Sequence, residues 1–118
     1  MADEFGDVLE NLKRKGVYGS AIIDREGGII TSDLPQEVHE ETFGIMCATI
    51  IGASNSANSE LERGSVKRII VDSKEGKMII SNPGKDIILS VVVDTSGKLG
   101  ALFEEINKTV ENIKARID

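Results

Sequence analysis

The 118 residues suffice for one domain with one hydrophobic core, and a net charge of −6 disfavours binding to the phosphates of nucleic acids. Three Phe, one Tyr and no Trp leave few rings for base stacking, and the single Cys excludes an intramolecular disulfide. The first residues are acidic and no apolar run approaches the roughly 20 residues that span a bilayer. We therefore expect a cytoplasmic protein without membrane insertion, built as a single domain over residues 1–118.

The first part of the chain predicts a helix followed by a hairpin. Apolar residues at helical spacing, with acidic residues early and basic residues late, predict a helix over residues 3–15 that stops at Gly16. Residues 17–24 include an apolar run without a polar face, which predicts an interior strand. Residues 25–28 predict a turn, and residues 29–33 predict a short return strand whose polar end suits a sheet edge.

The longest helical pattern covers residues 35–62, with Pro35 in the first turn, where a missing N–H has no cost. Two stripes make this helix apolar over much of its circumference, so it should be buried on more than one side. We expect one side to lie on the chain's own sheet and the side with small residues to admit a second helix. The first stripe consists of Phe43, Met46, Ile50, Ala53, Ala57 and Leu61, and the second of Gly44, Ala48, Ile51, Asn55 and Asn58, with Gly52, Ser54 and Ser56 nearby.

Three strands joined by tight turns are predicted next, over residues 66–72, 78–81 and 87–93. The third strand is apolar on both faces, so helices must cover it above and below, and it belongs inside the sheet. The first strand is apolar on both faces as well, although it begins this antiparallel meander and can lie at a sheet edge. An apolar edge is an aggregation hazard unless another chain pairs with it.

A final helix is predicted from the regular spacing of apolar residues between Leu99 and Ile117, with residues 94–97 holding its cap. It has one apolar stripe and one solvated side. We expect it to cover one face of the sheet, with the first helix beside it.

The edge strand and the two-sided helix independently indicate the same protein partner, and we predict a homodimer. The predicted contact residues on the helix are Gly44, Cys47, Ala48, Ile51, Gly52, Asn55 and Asn58, and those on the strand are Val66, Arg68, Ile69, Ile70, Val71 and Asp72.

No catalytic constellation is found in the sequence. Residues 96–99 lack the upstream Gly and the hydroxyl of a phosphate-binding loop and indicate a helix cap, and residues 24–27 indicate a hairpin turn. His39 is the only His and is expected on the surface. Cys47 has no His to activate it and is expected in the core. We therefore expect no enzyme activity, no cofactor and no metal site.

The order helix, two strands, long helix, three strands, helix resembles the roadblock family, named for a dynein light chain, and its prokaryotic small-GTPase regulators in particular. Residues 16–35, the long helix with its small residues, and residues 66–106 carry this resemblance. It implies an α+β fold of three layers, α/β/α, with a five-stranded antiparallel sheet in the order 2-1-5-4-3. The long helix lies on one face and the two terminal helices on the other. It also implies that strand 66–72 and the long helix pair with a second copy.

The resemblance further implies a non-enzymatic regulator or platform that binds a Ras-like small GTPase through the long helix. The GTPase-binding residues would then be Ala48, Ile51, Asn55 and Asn58. Two alternatives stay open. One is a small-molecule sensor domain, which requires a concave pocket with converging polar groups. The other is a purely structural subunit of a motor or signalling assembly.

Overall fold

The computed structural model describes residues 4–94 and 99–117, which form three helices and five strands. The helices are α1 (Gly6–Arg14), α2 (Glu40–Glu60) and α3 (Leu99–Ile117). The strands are β1 (Gly19–Asp24), β2 (Ile29–Asp33), β3 (Arg68–Ser73), β4 (Gly76–Gly84) and β5 (Ile87–Asp94), and they form one antiparallel sheet in the order β2-β1-β5-β4-β3. The predicted sheet order is confirmed, with the apolar β5 at the centre and with β2 and β3 at the edges.

Helices cover both faces of this sheet, because successive side chains of a strand point to opposite faces. On one face α1 and α3 pack over a core in which Leu12, Ile22 and Ile113 are fully buried. On the other face α2 packs over a second core that includes Cys47 and Ile80. The three-layer arrangement is therefore confirmed.

The turn between β1 and β2 holds the beginning of α2 close to the sheet. The carboxylate of Asp24 accepts a hydrogen bond from the N–H of Gly28 at 2.8 Å, and Gly27 has a φ of +98°, which favours glycine. The carbonyl of Gly27 lies directly against Gly44 of α2, so that a Cβ added to Gly44 would overlap it. Two glycines therefore allow the helix and the turn to touch through their backbones.

The predicted start of the long helix at residue 35 is wrong, because α2 begins at Glu40. Between β2 and α2, Leu34 packs against the core on the α2 face, and the N–H of Val38 donates to the carbonyl of Pro35 at 3.0 Å. These residues carry the chain from the sheet up to the helix layer. A proline that suits a first helical turn suits this connecting turn as well.

The predicted strand over residues 78–81 is too short, because β4 continues to Gly84. The register between β4 and β5 shifts between Ser81 and Gly84, which marks a bulge. Pro83 lies inside the bulge, a position where a strand tolerates the loss of a ladder N–H. The sequence pattern of a turn thus occurs within a strand.

The terminal helices differ less from their predictions. The described part of the helix predicted over residues 3–15 begins at Gly6 and ends before Gly16. α3 has the span that its apolar spacing predicts. Apart from Asp94, the cap predicted at residues 94–97 lies outside the described residues, and so do residues 96–98 of the sequence compared with a phosphate-binding loop.

Candidate interaction surface

β3 lies at the edge of the sheet and, among the described strands, is paired with β4 only. Ile69 and Val71 face the α2 side and are half-buried, whereas Ile70 faces the α1 and α3 side and is 47% exposed. The prediction of an apolar edge strand is therefore confirmed. Its outer side offers backbone N–H and C=O groups to another strand.

The stripe of small residues on α2 faces the chain's own sheet, which corrects the expected orientation of the helix. Cys47 is 1% exposed and Ile51 is 7% exposed, and both belong to the core beneath α2. Gly44 lies against the β1–β2 turn. From the sequence, these small residues are expected to allow close approach of a second helix. In the structure, they allow α2 to approach its own sheet. Ala48 is half-buried against the same core, whereas Gly52 is exposed with open space around it.

The exposed apolar flank of α2 is formed by part of the first stripe instead, whose members Phe43 and Ile50 are half-buried against the core beneath α2. Met46 is 51% exposed and Leu61 is 67% exposed, and Ala53 and Ala57 are exposed between them. Ala57 and Leu61 line, together with Ile69 of β3, a concavity of about 590 Å³ between the end of α2 and the start of the edge strand. The flank is therefore continuous with the open edge of the sheet. The residues Met46, Ile50, Ala53, Ala57 and Leu61 are termed the open flank below.

α2 covers only part of its face of the sheet. Cross-strand neighbours form rows, and in the row beneath α2 the central residues Ile80 and Ser90 are fully buried. The next row, toward the β3–β4 turn, contains Val71, Met78 and Val92, which are only half-buried and are termed the open row. A helix is roughly 10 Å wide, whereas the eight residues of β5 extend over about 26 Å. One helix is too narrow to cover this face.

The two amides predicted to bind a GTPase have partners within the chain. Asn55 accepts a hydrogen bond from the N–H of Val66 at 3.1 Å, and the amide nitrogen of Asn58 donates to the carbonyl of Gly64 at 2.6 Å. Both amides hold the loop before β3 against α2, and thereby position the edge strand. The other residues of that predicted set are the buried Ile51 and the half-buried Ala48. Contact of these four residues with a GTPase stays a prediction.

Two charged side chains flank Ile70 on the α1 and α3 side of β3. The guanidinium carbon of Arg68 lies 5.6 Å from the centre of the Phe103 ring of α3. Asp72, which is 72% exposed, forms an ion pair with Lys77 of the neighbouring strand β4. A positive charge thus marks the start of the edge strand and a negative charge marks its end.

The described residues contain little chemistry besides this surface. Burial raises the pKa of the Cys47 thiol, which donates a hydrogen bond to the hydroxyl of Ser90 at 3.6 Å, so the protonated and unreactive form is favoured. The expected burial of Cys47 and exposure of His39 are confirmed. Residues 4–94 and 99–117 contain no group of three or more potential metal ligands. None of the helices described here combines the length and apolar character needed to cross a membrane.

A comparison with known families identifies the fold. The family model of the Roadblock/LC7 domain matches residues 4–94. The chain belongs to the Roadblock/LC7 domain family. This Roadblock/LC7 chain is 29% identical over 108 residues to the uncharacterized protein MJ1340 of Methanocaldococcus jannaschii, a match that covers 92% of this chain and 94% of the relative. The resemblance inferred from the sequence is confirmed.

Solved structures share this fold at low sequence identity. MglB of Myxococcus xanthus matches the Roadblock/LC7 chain with a TM-score of 0.89 at 15% identity, over 97% of each chain. A Roadblock/LC7 domain from Streptomyces avermitilis matches with a TM-score of 0.84 at 12% identity, over 93% of this chain and 94% of that one. The architecture is thus retained although most side chains differ.

Proposed function

We propose that residues 1–118 form a single Roadblock/LC7 domain that dimerises with a second copy and binds a Ras-like small GTPase in the cytoplasm. The domain would regulate or position the GTPase without a catalytic residue of its own. The observation that carries the proposal is the adjacency of three uncovered apolar features: the edge of β3, the open flank and the open row. The GTPase as partner is supported by family membership, because the chain resembles prokaryotic roadblock regulators of this class of enzyme.

A second copy, related to the first by a two-fold axis perpendicular to the sheet, would cover all three features at once. Antiparallel pairing of β3 with its copy would join the sheets into one sheet of ten strands, five from each copy. In each copy α2 lies toward the end of the sheet that carries the β1–β2 and β4–β5 turns, where it contacts Gly27 and shares a concavity with Arg25 and Lys85. Antiparallel pairing reverses the ends of the second copy, so its α2 lies beside the open row of the first.

The open flank suits the contact that this axis would create between the two α2 helices. Its middle residues are Ala53 and Ala57, whose small side chains permit the 8–10 Å separation typical of packed helices. Met46 and Leu61 extend the flank on either side and would bury apolar surface that is now exposed. The proposed helix contact is therefore formed by the open flank, whereas from the sequence it is expected to be formed by the stripe of small residues.

The outward face of the paired helices would remain for the GTPase. On each copy this face carries Thr49, Gly52 and Ser56, with Ile45 at 49% exposure beside them. Thr49, Gly52 and Ser56 are small, so two antiparallel helices would present a flat platform of twofold symmetry. The proposed GTPase site is thus moved by a quarter to a half turn from the four residues expected from the sequence, which face the sheet or the loop before β3.

The homodimer is tested by placing a charge on the open flank. Ala57→Arg would bury an unpaired charge between the helices, and a cost of about 3 kcal/mol raises the dimer dissociation constant roughly 150-fold. Ser59→Arg places the same side chain at an exposed position outside the flank and serves as the control. Sedimentation velocity should show dimers for wild type and Ser59→Arg and monomers for Ala57→Arg, with thermal melting confirming that both variants fold. Equal dimer content in all three would contradict the proposal.

The GTPase is tested separately by binding of Ras-like GTPases from the same genome, loaded with GDP or with a GTP analogue. Thr49→Arg on the outward face of α2 should abolish binding without changing the dimer. Asn107→Arg, on the exposed side of α3, should leave binding unchanged. Absence of binding by the wild-type dimer in both nucleotide states would refute the GTPase as a partner and leave the dimer intact.

A further inference from the structure

We infer that β3 pairs with its own copy in one register, in which Ile70 lies opposite Ile70 and Arg68 lies opposite Asp72 of the second copy. The inference rests on the proposed homodimer and adds how the two copies recognise each other. It is drawn from the faces and charges of the six residues of β3, Arg68–Ser73.

Symmetry limits the registers that are possible. A two-fold axis perpendicular to the sheet keeps α2 of both copies on the same side, so residues directly opposite each other must point to the same face. Ile69 and Val71 point to the α2 side, and Arg68, Ile70 and Asp72 point to the other side. The axis must therefore pass midway between the two copies of one residue, which lies directly opposite itself. The central candidates are residues 69, 70 and 71.

Only the register centred on Ile70 satisfies both faces. On the α1 and α3 side it places the exposed Ile70 against itself and pairs Arg68 with Asp72 twice, once on each side of the axis. On the α2 side it pairs Ile69 with Val71 twice, so that four half-buried aliphatic side chains meet. Opposite charges and aliphatic pairs directly across an antiparallel ladder are each stabilising.

The two neighbouring registers mismatch the same side chains. Centred on residue 69, the strand places Arg68 opposite the apolar Ile70, and Asp72 loses its basic partner. Centred on residue 71, it places Ile70 opposite Asp72 and sets Arg68 opposite Lys74, which is a pair of like charges. Like charges directly opposite each other destabilise a sheet. The sequence of β3 thus opposes slippage in either direction.

The surroundings of both charged residues already favour this pairing. Arg68 is held over the ring of Phe103, so less side-chain freedom is lost when it meets a carboxylate. Asp72 is 72% exposed although it pairs with Lys77, so it retains open surface for a second cation. In the register centred on Ile70, the charges alternate across the seam in the order Lys77, Asp72, then Arg68 of the second copy. This alternation extends an existing ion pair into a network.

Three variants that each add one cysteine to the buried Cys47 report the register directly: Ile69→Cys, Ile70→Cys and Val71→Cys. Directly opposite Cβ atoms lie 4.5–5.5 Å apart, close to disulfide geometry, whereas diagonal neighbours lie at roughly 7–8 Å. Under mild oxidation, Ile70→Cys alone should give a covalent dimer on a non-reducing gel, and a mixture of Ile69→Cys and Val71→Cys should give a mixed one. Wild type, whose Cys47 is buried, is the control.

The possible results separate this inference from the homodimer itself. A covalent dimer from Ile69→Cys alone or Val71→Cys alone would overturn the register while supporting strand pairing. If wild type is dimeric but neither a single variant nor the mixture is cross-linked, pairing through β3 is overturned. If wild type sediments as a monomer at all concentrations, the proposed homodimer is refuted, and the register with it.

Charge exchange gives an independent reading. Arg68→Asp and Asp72→Arg each place like charges opposite each other at two positions of the symmetric dimer. Each variant should therefore raise the dimer dissociation constant about tenfold. Mixing the two variants should restore wild-type affinity, because both charge pairs of the mixed dimer are then of opposite sign. Unchanged affinity of the single variants, or a mixture no tighter than either, would overturn the pairing of Arg68 with Asp72.

Discussion

Two glycines of α2 lie in opposite environments and offer a matched pair of substitutions. Replacing glycine by alanine inside a helix stabilises it by about 1 kcal/mol when the new methyl group has room. A Cβ at Gly52 would meet nothing within 4 Å, so Gly52→Ala should raise the free energy of unfolding by about 1 kcal/mol. Gly44→Ala brings the same gain in helix propensity, but its new methyl group would meet the backbone of the β1–β2 turn.

The magnitude at Gly44 follows from what the methyl group would touch. It would lie 3.1 Å from the Cδ1 atom of Ile29, which can rotate away, and would overlap the carbonyl oxygen of Gly27, which cannot. α2 must then lift from the sheet and loosen the contacts of Cys47 and Ile51. Overpacking of this kind costs up to about 3 kcal/mol, so Gly44→Ala should lower the free energy of unfolding by about 2 kcal/mol after the propensity gain.

Urea unfolding followed by circular dichroism measures both variants against wild type. Measurements at two protein concentrations separate any contribution of the dimer from that of the fold. The two variants should shift the midpoint in opposite directions and differ by about 3 kcal/mol. If Gly44→Ala stabilises the protein as much as Gly52→Ala does, the small stripe does not face the sheet, and the assignment of the α2 faces is refuted.

Two further predictions concern single contacts. Arg116 donates hydrogen bonds to both carboxylate oxygens of Asp7 at 2.9 and 2.7 Å, and thereby lowers the pKa of Asp7 from 3.8 to about 2. Since the folded pKa lies below the unfolded one, this stabilisation is complete above about pH 5 and is lost as the pH falls through 2. The urea midpoints of wild type and Asp7→Asn should differ at pH 6 and converge near pH 2, and equal midpoints at pH 6 would disprove the pair's contribution. Asn55→Ala removes the acceptor of the Val66 N–H and should cost about 1 kcal/mol in the same assay, whereas no change would show that this amide does not hold the loop before β3.

Much of the fold could be predicted from the alternation of apolar residues. β5 is apolar on both faces and therefore needs cover above and below, which places it at the centre of the sheet. β2 ends in polar residues that tolerate an edge, and the apolar spacing between Leu99 and Ile117 gives the span of α3. In these elements the structure favoured by the local sequence pattern is also the one that the whole fold requires.

The candidate site was harder to predict because helical spacing shows which residues share a face but not what that face meets. Gly44 and Ala48 are small enough for close approach to a second helix or to the chain's own sheet. The structure decides in favour of the sheet through the contact of Gly44 with the β1–β2 turn, which depends on a residue 17 positions earlier. Pro35 and Pro83 show the same limit of local patterns. Pro35 lies in a connecting turn rather than in the first turn of α2, and Pro83 lies in a bulge rather than in a turn between strands, because tertiary position decides between these alternatives.

The central claim is that the open edge of β3 is paired with a second copy, and exchange of its backbone amides tests this most directly. Every second N–H of Arg68–Ser73 points away from β4 and has no ladder partner within the sheet described here. Hydrogen exchange followed by NMR should show that these outward amides are protected, and that Ala57→Arg abolishes their protection while leaving the inward amides unchanged. Rapid exchange of the outward amides in the wild-type protein at millimolar concentration would contradict the account.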